Sequence, residues 1–246
     1  MTYTLRKPII VAHRANTLKR IRKYIEFRVP AIEIDVIDSS NDVVLQHVRE
    51  EAPLWFESSH HNSMHVFRRL LFNISAFRPL RLVDVLRVVN GKTNVLIDLK
   101  SKEIADKVVD AIKKANFKGE VYVSSKYHCD IRSIKDLMPE VKGLLTLEDQ
   151  PLNLAEYIRK AKADGISMRV AFVEKSLVDE LHKHGYIVAT WTVNDVELAR
   201  QLSAIGVDMI VTDIPEVLMR ELQRKTRDIY DSELFMLEDL NYIPGY

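Results

Sequence analysis

Residues 9–47 read I-I-V-A-H-R-A-N-T-L-K-R-I-R-K-Y-I-E-F-R-V-P-A-I-E-I-D-V-I-D-S-S-N-D-V-V-L-Q-H. A short apolar strand, Ile9 to Ala12, ends on the polar pair His13-Arg14. Leu18, Ile21, Tyr24 and Ile25 then recur at helical spacing within Asn16 to Arg28. Ala31 to Val36 is a second apolar strand, but it carries Glu33 and Asp35. The turn residues Asp38 to Asp42 follow, and Asn41 to His47 reads as a returning strand. Residues two apart in a strand point to the same face, so Glu33 and Asp35 point together. So do Asp98 and Lys100 in the later stretch N-V-L-I-D-L-K, residues 94–100. Carboxylates on Val/Ile-rich strands are costly to bury unless something pairs with them. The candidate partners are a divalent cation, Arg14, Lys100, and the histidines at strand ends, His13 and His47.

Outward from this stretch the chain alternates regularly. Helical spacing over 81–89 precedes a strand at 95–99, and a helix over 103–115 with a lysine-rich end follows it, which suits the helix dipole. Strands starting near 121, 143, 166, 187 and 209 are each followed by a helical stretch. Gly185 and Gly206 stand where two of these helices should stop. With the strands at 9, 31 and 95, eight βα units result, and they predict a closed α/β fold, a (βα)8 TIM barrel. The strand before His47 is an extension within the second unit. An open doubly wound sheet would use fewer strands and a glycine-rich first turn. The 7 glycines show no phosphate-loop spacing. In a barrel, functional groups belong at the C-terminal ends of the strands. His13 and Arg14, Glu33 and Asp35, and Asp98 and Lys100 all meet that rule.

The whole chain narrows the function further. A length of 246 residues without a Pro/Gly/Ser-rich linker fits one barrel, taken as residues 1–225. Hydrophobic content of 47% and charged content of 29% are ordinary for a soluble globule. A net charge of +1 gives no electrostatic case for nucleic acid or an acidic membrane. No apolar run approaches the roughly 18 residues of a membrane span, so no stable membrane insertion is expected. The start M-T-Y-T-L-R-K-P lacks a long apolar core, and Cys129 is the single cysteine, which together point to the cytoplasm. Residues 48–79 form an inserted lid or cap after the second strand unit, with Trp55, Phe56, Phe67, Phe72 and Phe77. That segment is expected either to pack on the barrel as a cap or to act as a lid whose apolar face holds a lipid tail or docks on a membrane. Residues 226–246 are too apolar for a free tail and are expected to pack on the barrel or to form a homodimer contact.

At these residues the chain resembles the glycerophosphodiester phosphodiesterase family, over about Ile9 to Leu218. The resemblance rests on His-Arg after the first strand, Glu-x-Asp on the second, and the histidine of V-V-L-Q-H. It continues with an acid-x-Lys on the third barrel strand, W-T-V-N at Trp191 to Asn194, and G-V-D-M-I-V-T-D-I-P at Gly206 to Pro215. It implies metal-dependent hydrolysis of small-molecule glycerophosphodiesters to glycerol 3-phosphate and an alcohol. Glu33, Asp35 and Asp98 would hold a divalent metal, Mg²⁺ or Ca²⁺ with Mn²⁺ as the alternative. His13 and His47 would be general acid and base, Arg14 and Lys100 would bind the phosphate, and Trp191 would wall the substrate. The chain departs from the family pattern at Ala15, where glycine is usual, and in the shortened loop ending Asn16-Thr17. Both departures are expected to reshape the substrate mouth. Val48 replaces an aspartate that would orient His47, and Asp98 replaces a glutamate. Two rival readings are the same chemistry on lysophospholipids and a catalytically inactive binding barrel.

Overall fold

A computed structural model describes residues 7–40, 42–46 and 79–222 of the chain. The strands are β1 (Ile9–Ala12), β2 (Ala31–Ser39), β3 (Asp42–Leu45), β4 (Asn94–Leu99), β5 (Val121–Ser125), β6 (Lys142–Leu147), β7 (Gly165–Arg169), β8 (Ile187–Trp191) and β9 (Met209–Thr212). The helices are α1 (Leu18–Glu26), α2 (Leu82–Val89), α3 (Ala105–Ala115), α4 (His128–Leu137), α5 (Leu154–Lys160), α6 (Lys175–Lys183) and α7 (Val196–Ala204), and α8 spans 215–222.

Strands β1, β2 and β4 to β9 run parallel, each to the next, and β1 pairs with both β2 and β9. The sheet therefore closes on itself as an eight-stranded barrel, as the alternation predicted. Strand β3 stands outside the ring and turns back antiparallel on the far end of β2, with Val36 opposite Leu45. It is the extension expected within the second unit.

Alternation of side chains splits the buried residues into two layers. Val11, Leu96, Tyr122, Leu144, Ala189 and Met209 form a cluster inside the ring. Ile10, Ile32, Ile34, Ile97 and Val123 point outward and pack against helix residues such as Ile21, Tyr24, Leu82 and Leu86. Each fully buried Leu or Ile contributes about 1.5–3 kcal/mol. The inner cluster plugs the barrel, and a pocket opens above it, at the strands' C-terminal ends.

Local chemistry sets the helix ends. The Thr17 hydroxyl accepts from the Arg20 amide at 3.2 Å and caps α1, and Asp195 accepts from the Leu198 amide at 2.7 Å and caps α7. Gly185 and Gly206 follow α6 and α7 with φ of +76° and +94°, the left-handed conformation that ends a helix. Backbone angles set two further helix ends. Helix α3 starts at Ala105 rather than near 103 because Glu103 has φ of +59°. Helix α5 stops at Lys160 because Lys162, at φ of +54°, turns the chain out of the helix. Among the described residues, no helix is long and apolar enough to cross a membrane. Most of the inserted segment expected at 48–79, and the tail at 226–246, lie outside the described residues.

Candidate active site

Register assembles the site. Asp35 on β2 pairs with Asp98 on β4, and Asp98 pairs with Ser124 on β5. Three polar side chains therefore stand level on three neighbouring strands, which lie about 4.8 Å apart in a sheet. Glu33 sits on the same face of β2, one pleat below Asp35. One oxygen from each of Glu33, Asp35 and Asp98 lies within 4.8 Å of the other two. Glu33 is 4% exposed and Asp35 1%, so the cluster sits in the barrel mouth rather than on open surface.

Its neighbours restrain these charges. Lys100 Nζ lies 2.6 Å from Asp98 Oδ2 and 3.4 Å from Asp35 Oδ1. The Ser124 hydroxyl donates to Asp98 Oδ1 at 2.8 Å. The Arg14 amide donates to Glu33 Oε2 at 2.5 Å. Burial, reinforced by the charges of Asp35 and Asp98, still pushes the Glu33 carboxyl well above its usual range. Burial, with help from Asp35, also raises Asp98 against the opposing pull of Lys100 and Ser124. Three converging, buried carboxylates are a hard-oxygen donor set of the kind that suits Mg²⁺ or Ca²⁺. A bound dication would offset both the burial cost and the mutual repulsion that raise these groups.

On the strand next to β2, His13 follows β1. Its Nδ1 lies 2.8 Å from Asp213 Oδ1. A carboxylate can only accept, so Nδ1 is the donor and Nε2 is the ring nitrogen able to take a proton. Asp213 is itself held: Asn194 Nδ2 donates to its Oδ2 at 2.8 Å. Asn194 Oδ1 in turn accepts from the Asp213 amide at 2.9 Å and the Thr212 hydroxyl at 3.1 Å. Burial lowers the His13 pKa and outweighs the Asp213 carboxylate, which raises it. Burial works to raise Asp213, but the bonds from Asn194 and His13 hold it below the usual carboxylate range.

One pocket at the C-terminal end of the barrel is lined by His13, Arg14, Glu33, Asp35, Asp98, Lys100 and Trp191. These are all the site residues read from the sequence except His47, which lies outside the described residues, as does Val48. The Trp191 indole donates to the Ser167 carbonyl at 3.1 Å, which fixes its ring at the rim. Ala15 corrects one expectation. It is 0% exposed, packs in the core and lies outside the pocket lining, so it does not shape the mouth. Left-handed φ at this loop falls on Arg14, at +53°, and position 15 does not need glycine's freedom. Sequence reasoning assigned no role to Asp213, Asn194 or Ser124. The first two lie inside the quoted T-D-I-P and W-T-V-N segments, so the signal was present without an assignment.

The (βα)8 barrel and the carboxylate cluster at the C-terminal ends of its strands define a TIM-barrel protein with a candidate metal centre. The sequence matches the model of the Glycerophosphoryl diester phosphodiesterase family over residues 11–217, and the chain belongs to that family of hydrolases. A curated glycerophosphodiester phosphodiesterase from Caldanaerobacter subterraneus subsp. tengcongensis is 24% identical, over 89% of this chain and 99% of its own. Another from Bacillus altitudinis is 26% identical over 55% of this chain and 59% of its own. Two solved structures have the same fold. A glycerophosphodiester phosphodiesterase from Parabacteroides distasonis superposes with a TM-score of 0.72 at 17% identity, covering 89% of this chain and 98% of its own. A phosphodiesterase from Oleispira antarctica, in complex with the product sn-glycerol-3-phosphate, gives 0.71 at 18% identity, covering 88% and 97%.

Proposed function

We propose that the protein hydrolyses glycerophosphodiesters to glycerol 3-phosphate and an alcohol, using a divalent cation held by Glu33, Asp35 and Asp98. The carrying observation is the convergence of those three carboxylates within 4.8 Å in a pocket that also contains His13, Arg14 and Lys100. Family membership and the glycerol phosphate bound to the Oleispira relative support the substrate class.

When bound, Mg²⁺, Ca²⁺ or Mn²⁺ supplies charge neutralisation at a phosphate oxygen and lowers the pKa of a nearby hydroxyl. The chain's own residues do the rest. Arg14 offers a planar fork to the phosphate and Lys100 a point charge. His13 Nε2, with Nδ1 anchored on Asp213, moves a proton as general acid or base. His47 is the proposed second member of that pair. In the reaction the bond from phosphorus to the alcohol oxygen breaks, and that oxygen takes a proton from one histidine. The attacking oxygen, from water or from the substrate's own glycerol hydroxyl, forms the new bond to phosphorus and gives its proton to the other histidine; where the glycerol hydroxyl attacks, water then opens the cyclic phosphodiester to give glycerol 3-phosphate. Trp191 walls the substrate. The protein is proposed to be cytoplasmic and to act on small molecules.

Asp98→Ala tests this reading. The variant is expected to lose metal-stimulated release of glycerol phosphate while remaining folded. Full activity in it would overturn the assignment. Turnover of lysophosphatidylcholine without turnover of glycerophosphocholine would move the substrate class to lysophospholipids.

A further inference from the structure

The loop leaving β1 reaches back across to β2 at each of the proposed metal-holding positions there. The Ala15 amide donates to the Glu33 carbonyl at 2.7 Å and the Arg14 amide to the Glu33 carboxylate at 2.5 Å. Asn16 makes the third and fourth contacts: its Nδ2 donates to Asp35 Oδ2 at 2.6 Å, and its Oδ1 accepts from the Asp35 amide at 2.9 Å. One amide side chain thus grips both the backbone and the carboxylate of a single residue. Asp35 is 1% exposed and lies 3.4 Å, through its other oxygen, from Lys100.

We infer that Asn16 is a positioning residue for the metal centre: it locks the Asp35 carboxylate in one rotation so that Oδ1 is presented to the cluster. The inference rests on the metal reading above. Two hydrogen bonds to one amide plane fix both the place and the twist of the carboxylate, which a single contact could not do. The next residue, Thr17, is already the cap of α1, so Asn16 is held between the end of the loop and the start of a helix. Lost outer contacts to metal-holding groups weaken metal affinity by about 10–100-fold in general.

The test is calorimetric titration of the full chain, stripped with EDTA and dialysed, with Mn²⁺ alone. Wild type, Asn16→Ala, Asn16→Ser and Asp98→Ala are compared, and each apo protein is also melted. Binding by wild type and not by Asp98→Ala establishes the centre. Affinity of both Asn16 variants about 10–100-fold below wild type supports the positioning role. Asn16→Ser perturbs the half-buried loop least and carries the test if the alanine variant does not fold. Mn²⁺ affinity within threefold of wild type, whatever happens to the melting temperature, would make Asn16 a purely structural loop residue and overturn the inference alone. Failure of wild type itself to bind would instead overturn the metal reading, and this inference with it.

Discussion

His13 and Asp213 come from opposite ends of the sequence, at the exits of β1 and β9, and meet at 2.8 Å because those two strands close the barrel. The contact fixes which ring nitrogen of His13 carries the proton. It also opposes the burial that lowers the histidine's pKa. Asp213→Asn keeps the shape and removes the charge. Turnover is expected to fall by about 100-fold, the low end of the range that one general acid–base group commands, with little change in KM. The limb of the pH–rate profile belonging to His13 should move to lower pH, since the carboxylate that raised its pKa is gone. A pH–rate series on both proteins checks this; an unmoved limb would deny Asp213 the role.

Glu33 makes an opposite claim on stability. Its folded-state pKa is raised above the unfolded value of about 4.5. Its contribution is therefore fully present below that pH and is lost as pH rises through the folded value. In EDTA the protein should lose stability over that rise, and Glu33→Gln should flatten the loss. A gain of about 1 kcal/mol at neutral pH would appear as a melting temperature about 2–4 °C higher than wild type. The same variant should lose the stabilisation that added Mg²⁺ or Ca²⁺ gives the wild type. Melting curves from pH 5 to 8, with and without metal, measure both effects.

Ser124 tunes Asp98 across the β4–β5 pair through its 2.8 Å hydrogen bond. Burial raises the Asp98 pKa, and the serine hydroxyl is one of the groups that hold it down. Ser124→Ala should raise it further. Metal binding needs the ionised carboxylate, so the pH at which half the metal is bound should shift upward. Titrations with Mn²⁺ at several pH values read the shift directly. A downward shift would contradict the argument.

Trp191 is tied to the Ser167 carbonyl and lines the pocket without touching the carboxylates through any polar contact. Trp191→Ala should raise KM for glycerophosphocholine several-fold while changing metal affinity little. Steady-state kinetics beside a metal titration separate the two. A large loss of metal affinity would show that the indole supports the centre rather than the substrate.

The barrel was legible because its signals are local and repeated: apolar strands, helical spacing, and Gly185 and Gly206 at helix ends. The acidic cluster was legible because period-two alternation places Glu33 beside Asp35. Register then set Asp98 level with Asp35, which no single segment states. The contacts that orient the site were not legible for the same reason. His13–Asp213, Asn16–Asp35 and Ser124–Asp98 each join different strands or loops, and only closure of the ring brings them together. Ala15 was misread because its burial in the core depends on how the loop folds back, which the local sequence does not state. The left-handed residue is Arg14, one position earlier.

The central claim is that three barrel-mouth carboxylates make this chain a metal-dependent phosphodiesterase. The most direct measurement is release of glycerol phosphate from glycerophosphocholine, first in EDTA and then with Mg²⁺, Ca²⁺ or Mn²⁺ restored. The account predicts no release in EDTA and recovery with at least one of these ions. Undiminished release in EDTA, or none with any ion on this substrate or on lysophosphatidylcholine, would contradict it.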